Sequence, residues 1–269
     1  LYECEFELSD MRRLKVVQKG WSRIYGASHR KIPVTTQLIS DIYHNGGLDM
    51  NVWDDLMAML AIVLAFSFLW RSCEYASLGN LIDREKCLTV ADSLFACNGE
   101  DVSTPAPRPI SEFGCFHRTS KSDFLHQGAS NNIYACDDGT PFCPIVLLNR
   151  ARVMRPAHFD APDHFLLQCN NHRPVPKSRI EKLLKSGSER LGIPKEHITS
   201  HSLRAGGASA MWAMGRSDAE IQFRGRWKSL CYKLYIWGTR EKQKDFASGL
   251  FATRPSLFAS ISAAAASAG

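Results

Sequence analysis

The sequence predicts a mainly α-helical domain of the α+β class, and three observations carry that expectation. Stretches with apolar residues at helical spacing fill both halves of the chain. Between them, residues 86–135 lose the helical period and offer three short strand-like segments instead. A hydrophobic content of 45% over 269 residues supplies a substantial core, enough for one large domain or a main domain with a fragment of another.

Residues 1–30 carry helical spacing at Met11, Leu14 and Val17 among the basic residues Arg12, Arg13, Lys15, Lys19 and Arg23. Pro33, then Thr35 or Thr36 as N-cap, opens a helix through Leu38, Ile39, Ile42 and Tyr43 that Gly46-Gly47 ends. Asn51 is the next candidate N-cap, for a helix running through the most apolar stretch, Leu56 to Trp70, as far as Arg71. That stretch falls short of the ~20 residues needed to cross a bilayer, so it is expected to be a buried core helix, with no membrane partner. No N-terminal signal is visible.

Cys87–Val90 reads as the first strand, followed by a polar, proline-bearing loop from Asn98 to Pro109. Phe113–Arg118 and Asn131–Ala135 are the second and third, and the turn between them holds Arg118 to Asp123, with Lys121 at its centre. Cys143-Pro144 opens a helix to Arg155, proline suiting a first turn. Phe165–Leu167 is a short buried segment, and Ser178 is expected to cap a helix stopped by Gly192. A helix from His201 to Met214 follows, closed by Gly215. Ser217-Asp218-Ala219-Glu220 is a capping box for another, whose C-terminal end presents Arg224, Arg226 and Trp227. Tyr232 and Tyr235 fall on the next helical stretch, one turn apart on one face. Residues 241–251 form one more predicted helix, and 256–269 a low-complexity tail.

The formal charge of +6 leans toward an anionic partner. Nine scattered cysteines, an odd number without close pairs, argue against a disulfide framework and for a reducing compartment, cytosol or nucleus. Cys136, Cys143, His158, Cys169 and His172 share one half of the chain, and Cys169 and His172 have ligand-like spacing. No second such pair completes a zinc set, so no metal is expected. There is no glycine-rich phosphate loop, His-Glu-x-x-His, nucleophile elbow or carboxylate cluster for metal-dependent nuclease chemistry.

The strongest chemical signal lies between Thr199 and Trp237. His201 and Arg204, three apart, share one face of a helix's first turn, where free N–H groups and the positive helix end welcome an anionic oxygen. The basic run Arg224-Gly225-Arg226-Trp227-Lys228 follows, then Tyr232 and Tyr235. A cationic pocket with a tyrosine hydroxyl at its rim points to attack on a phosphodiester. A phenol with a free pKa of ~10 needs nearby cations or a base to do so. Arg71, read alone, is a core arginine paired with Glu74 at i+3.

His201-Ser202-Leu203-Arg204, then Gly225-Arg226-Trp227, then a nearby tyrosine resembles the C-terminal catalytic signature of tyrosine recombinases, the phage-integrase family. The Gly-Arg-Trp-Lys-Ser form looks most like recombinases of eukaryotic mobile elements, the tyrosine-recombinase retrotransposons and cryptons. Arg71-x-x-Glu74-x-x-x-Leu78 is similar to the family's first arginine box, and Lys121 matches the lysine of its β-hairpin turn. The resemblance covers about residues 31–245.

It implies a catalytic domain over 31–252 with a small antiparallel sheet at one edge, preceded in 1–30 by a remnant of a DNA-clamping domain plus linker, and followed by a tail over 253–269. The implied function is site-specific recombination or integration of DNA through a 3′-phosphotyrosyl intermediate, without a cofactor. Tyr235 would be the nucleophile, with Tyr232 the alternative. Arg71, Arg204 and Trp227 would stabilise phosphate charge, Glu74 would orient Arg71, His201 would be base or hydrogen-bond partner, and Lys121 general acid. Trp227 stands where many members have histidine, and its indole N–H can still donate. Arg224, Arg226 and Lys228 would hold the duplex backbone. Implied partners are double-stranded DNA and further copies of the chain, as a tetramer in a synaptic complex, in the nucleus if the host is a eukaryote. Two rival readings are a catalytically inactive DNA-binding descendant and a type IB topoisomerase-like strand relaxer.

Overall fold

The computed structural model describes residues 31–106, 108–119, 127–136 and 138–236. The helices expected around 11–17 and 241–251, the tail and Lys121 lie outside the described residues.

Helix α1 (Thr36–Asn45) starts where expected, with the Thr35 hydroxyl accepting from the Leu38 N–H at 3.2 Å, and gives way through Gly46 and Gly47, the latter at φ +68°. Helix α2 (Trp53–Ser67) is buried on every side from Leu56 to Ala65, which makes it the spine of the core. Asn51 does not cap it. Its backbone N–H is held by the Asp49 carboxylate, and Val52 occupies the cap position. Nor does the helix run on to Arg71: the Trp70 N–H turns back to the Ala65 carbonyl and Leu69 takes a left-handed φ of 54°. Arg71 is instead the N-cap of a short helix α3 (Ser72–Tyr75).

Strand β1 (Ala76–Ser77) pairs in parallel with β6 (Val175–Pro176). The main sheet is antiparallel, in the order β3-β2-β4-β5, built from β2 (Ser93–Cys97), β3 (Glu100–Asp101), β4 (Glu112–His117) and β5 (Ala129–Tyr134). The strand expected at Cys87–Val90 is absent. Leu88 exchanges backbone bonds with Glu74 and Leu166, and a capping box of Thr89 with Asp92 turns the chain before β2 begins. The loop expected from Asn98 to Pro109 contains β3.

Helices α4 (Pro144–Met154), α5 (Pro156–Phe159), α6 (Lys177–Arg190), α7 (His201–Ala213) and α8 (Asp218–Gly225) complete the fold. Pro176, not Ser178, occupies the cap position of α6. The Ser217 hydroxyl and the Glu220 carboxylate form the expected box at the start of α8. A 3₁₀ turn, Leu230–Leu234, follows, where an α-helical stretch was expected. The sheet is fastened to the helices by Arg152 of α4. This fully buried guanidinium lies 4.5 Å over the Phe95 ring and donates to the Val102 carbonyl at 2.7 Å.

One packing detail positions everything below. A Cβ on Gly206 of α7 would collide with the Val34 carbonyl, and one on Gly207 with the Phe66 carbonyl. Gly206 therefore lets α7 meet the segment before α1 at backbone contact, and Gly207 lets it meet the end of α2, which brings the neighbouring Arg204 within reach of the turn after α2. A second, small apolar cluster forms there from Leu69, Ala208, Ile221, Trp227 and Tyr232, with Tyr235 packed against it.

Candidate active site

Four parts of the chain meet at this place: the turn from Phe68 to Glu74, the N-terminal half of α7, the segment from Gly225 to Tyr235, and the end of β4. Arg204 is almost fully buried at their centre. Its guanidinium donates to the carbonyls of Leu69 and Gly225 and lies 4.2 Å over the Trp227 ring. Burial, then the neighbouring charges of Arg71 and Arg226, push its pKa down to about 9. An arginine this unfavourably placed holds its proton far more easily with an anion beside it.

Glu74 is the carboxylate acting on Arg204 among the described residues. It is 1% exposed and accepts three N–H donors: the Arg71 backbone at 2.8 Å, Arg71 Nη1 at 3.2 Å and Arg226 Nη2 at 2.6 Å. Burial alone would raise its pKa, but Arg226, His117, Arg71 and Arg204 together outweigh that and hold it below the usual range. Arg71 thus meets Glu74 at i+3, as its spacing predicts, with 21% of its own side chain open to solvent.

His201 is the first residue of α7, with its ring open to solvent. Partial desolvation, then the positive charges of Lys177 and Arg204, lower its pKa, so the neutral ring that can accept a proton is favoured at neutral pH. Trp227 faces both tyrosines, with ring centroids 6.0 Å from Tyr232 and 5.3 Å from Tyr235. The two differ in surroundings. Tyr232 is fully buried, and burial followed by the Asp218 carboxylate pushes its pKa up to about 12. Tyr235 is half-buried at the rim, its carbonyl accepting from the Ser209 hydroxyl at 3.2 Å, and its phenol is among the groups acting on Arg204.

The structure therefore brings Arg71, Glu74, Arg204, Trp227 and Tyr235 into one connected set, with His201 coupled to Arg204 and Arg71. Lys121 belongs to the connection between β4 and β5 and lies outside the described residues. The expected DNA contacts divide. Lys228 is exposed. Arg224 is half-buried over Phe68 and donates to the Asn132 carbonyl at 2.8 Å, which ties α8 to the sheet. Arg226, unlike Lys228, points inward: its side chain is 4% exposed and ion-paired with Glu74.

Sequence reasoning missed His117. It ends β4, lines a cavity of about 220 Å³ with Gly128, Gln222, Arg226, Trp227 and Lys228, and places Nε2 3.8 Å from the Glu74 carboxylate. The signal was available in the alternation Phe113, Cys115, His117, all buried on one strand face. Burial, then the Arg226 charge, pushes the His117 pKa down to about 3. The unfolded chain therefore takes up a proton near pH 6.5 that the folded chain refuses until about pH 3. Stability should fall as pH drops through that window, by up to ~1.4 kcal/mol per pH unit from this group. Urea unfolding followed from pH 7 to pH 4 should show a shallower decline in His117→Gln than in the parent chain, and identical slopes would refute the assignment.

Among the described residues no three His, Cys, Asp or Glu side chains gather as a metal set, and no helix is long and apolar enough to cross a membrane. No protein-family model matches the chain, and no curated protein matches it. Among solved structures it is similar to the XerH site-specific recombinase bound to palindromic difH substrate in a post-cleavage complex, with a TM-score of 0.53 and 15% identity over 83% of this chain and 54% of that one. The pre-cleavage complex of XerH with difH gives 0.49 and 14% over 82% and 55%. The Tn1549 transposon integrase with transposon right-end DNA gives 0.42 and 15% over 84% and 68%. The chain thus spans just over half the length of the XerH chains it matches. The first likeness shows the fold: the mainly helical domain with a small antiparallel sheet is one that a site-specific recombinase also has, as the motif resemblance implied.

Proposed function

We propose that this chain is a tyrosine recombinase that cuts and rejoins DNA strands. The observation that carries the reading is electrostatic. Three guanidinium groups, Arg71, Arg204 and Arg226, crowd around one buried carboxylate, Glu74, beside a rim phenol. Such a cluster is short of negative charge, and a backbone phosphate supplies it at the place where Tyr235 can attack.

In the reaction, the Tyr235 oxygen forms a bond to the scissile phosphorus as the bond to the 5′ oxygen breaks. The products are a 3′-phosphotyrosyl enzyme and a free 5′-hydroxyl. Fixed donors on Arg71, Arg204 and the Trp227 indole stabilise charge on the non-bridging oxygens, where preorganised groups gain most. His201 takes or shares the phenol proton, and Lys121 gives one to the departing oxygen. The bond energy stays in the phosphotyrosine, so religation needs no nucleotide cofactor, and the guanidiniums fill the charge-stabilising places a metal would otherwise take. Lys228 and the basic residues of 1–30 hold the duplex, with salt-sensitive affinity. Further parts of the proposal are a tetramer on DNA, an origin in a mobile element of the retrotransposon or crypton kind, and action in the nucleus of a eukaryotic host.

The test is incubation with a nicked suicide duplex, both generic and of element-end sequence, in the presence of EDTA. The expected product is an SDS-resistant protein–DNA adduct. Duplex binding without any adduct would identify an inactive descendant, and supercoil relaxation without recombinant products a topoisomerase-like enzyme; either result overturns the proposal.

A further inference from the structure

Arg226 stands in the middle of the basic run but points away from solvent, and the reason is local. The chain closes α8 with Arg226 in the left-handed region, φ 55° and ψ 43°, and Gly225 before it leaves room for the Trp227 ring, into which a Cβ would run. That turn reverses the direction of the Arg226 side chain relative to a helical continuation. Its Nη2 reaches Glu74 Oε2 at 2.6 Å and its Nη1 the Phe68 carbonyl at 3.4 Å.

From this arrangement we infer that Arg226 is a positioning residue: it holds Glu74 so that Arg71 is free to meet the substrate phosphate, and it makes no DNA contact itself. The inference rests on the proposed strand-transfer reading and deepens it. Glu74 has two guanidinium partners of unequal exposure, Arg71 at 21% and Arg226 at 4%. With Arg71 as sole partner, turning that side chain toward a phosphate would strand a buried carboxylate. With Arg226 in place, Glu74 stays compensated while Arg71 exchanges its 3.2 Å contact for the substrate. The same clamp ties the residue before Trp227 to the Arg71 turn, so the indole and the arginine keep a fixed spacing.

Single-turnover adduct formation by the 269-residue chain on the nicked duplex tests this, with duplex affinity measured over a range of salt. Arg226→Ala should slow the adduct step ~100-fold, the scale of a misplaced catalytic group. Its affinity and its salt slope should match those of the parent. Arg226→Lys should recover part of the rate, because it restores the charge on Glu74. In a Glu74→Gln background, Arg226→Ala should add little, since the two act as a unit. A salt slope shallower by ~0.9 in Arg226→Ala would mean a lost phosphate contact and would overturn the inference. A rate loss that merely tracks the folded fraction would also overturn it. Should the parent chain form no adduct, the strand-transfer reading itself fails. Arg226 is then decided by the salt slope and by its coupling to Glu74 in urea unfolding: an unchanged slope with coupling upholds its placement, and a shallower slope or no coupling refutes it.

Discussion

Arg204→Ala should lower the rate of covalent adduct formation by ~10³-fold, near the upper end of what one charge-stabilising donor contributes. The effect has two sources that can be separated. Arg204 offers a charge in a mostly desolvated place, where an ionic contact to a developing phosphorane is screened little. It also holds the Leu69 and Gly225 carbonyls and supports the Trp227 ring, so alanine leaves two buried acceptors without donors. That second effect should lower stability by ~2–4 kcal/mol, on the scale of a lost buried polar contact plus a cavity. Measured well below the melting temperature of the variant, where all of it is folded, the rate should still show the full loss. Arg204→Lys should rescue stability poorly, because an ammonium cannot fork to two carbonyls and stack on an indole at once. A variant whose rate recovers completely once folded would remove Arg204 from the proposed chemistry.

What could be read in the sequence was what depends on neighbours in the chain. The Thr35 cap, the Ser217 box and the pairing of Arg71 with Glu74 are all settled within four residues, and the structure contains each of them. The existence of α2 was equally plain, because an apolar run too short to cross a bilayer reads as a buried core helix, and eleven of its residues are buried and apolar. Its end was not, because the stop at Ser67 is made by a backbone turn through Leu69 whose carbonyl is held by Arg204, 135 residues away. The strand expected at Cys87–Val90 had the right composition, but its backbone groups are engaged by Glu74 and Leu166, and the sheet closes without it.

Arg226 is the instructive case. In a string of letters, Arg224-Gly225-Arg226-Trp227-Lys228 is one basic patch. In three dimensions helix α8 carries Arg224 to the Asn132 carbonyl, the left-handed turn after it directs Arg226 to Glu74, and Lys228 lies at the surface. Composition gives charge, whereas direction comes from the left-handed turn at Arg226 and from its partner Glu74, 152 residues away in the chain. The same holds for His117, whose inward face is implied by strand alternation but whose meeting with Glu74 requires the sheet to be docked.

Tyr235→Phe should abolish the adduct outright, while Tyr232→Phe should retain it, and the contrast follows from where the two hydroxyls sit. Without a phenol oxygen in line with the phosphorus no covalent intermediate forms, so the loss should reach the background of the assay, at least ~10³-fold. Tyr232 is a poor candidate for the same task. It is sealed within the small apolar cluster, and burial and Asp218 push its pKa up to about 12, so its phenolate is scarce at neutral pH. Its ring instead wedges the 3₁₀ turn against Trp227, which keeps Tyr235 at the rim. Tyr232→Phe leaves that wedge in place and should reduce the rate by less than ~10-fold, whereas Tyr232→Ala should lose both packing and rate. Peptide mapping of the trapped adduct checks the assignment directly, since DNA attached at Tyr232 would place the nucleophile inside the core and demand that the whole turn unfold before cleavage.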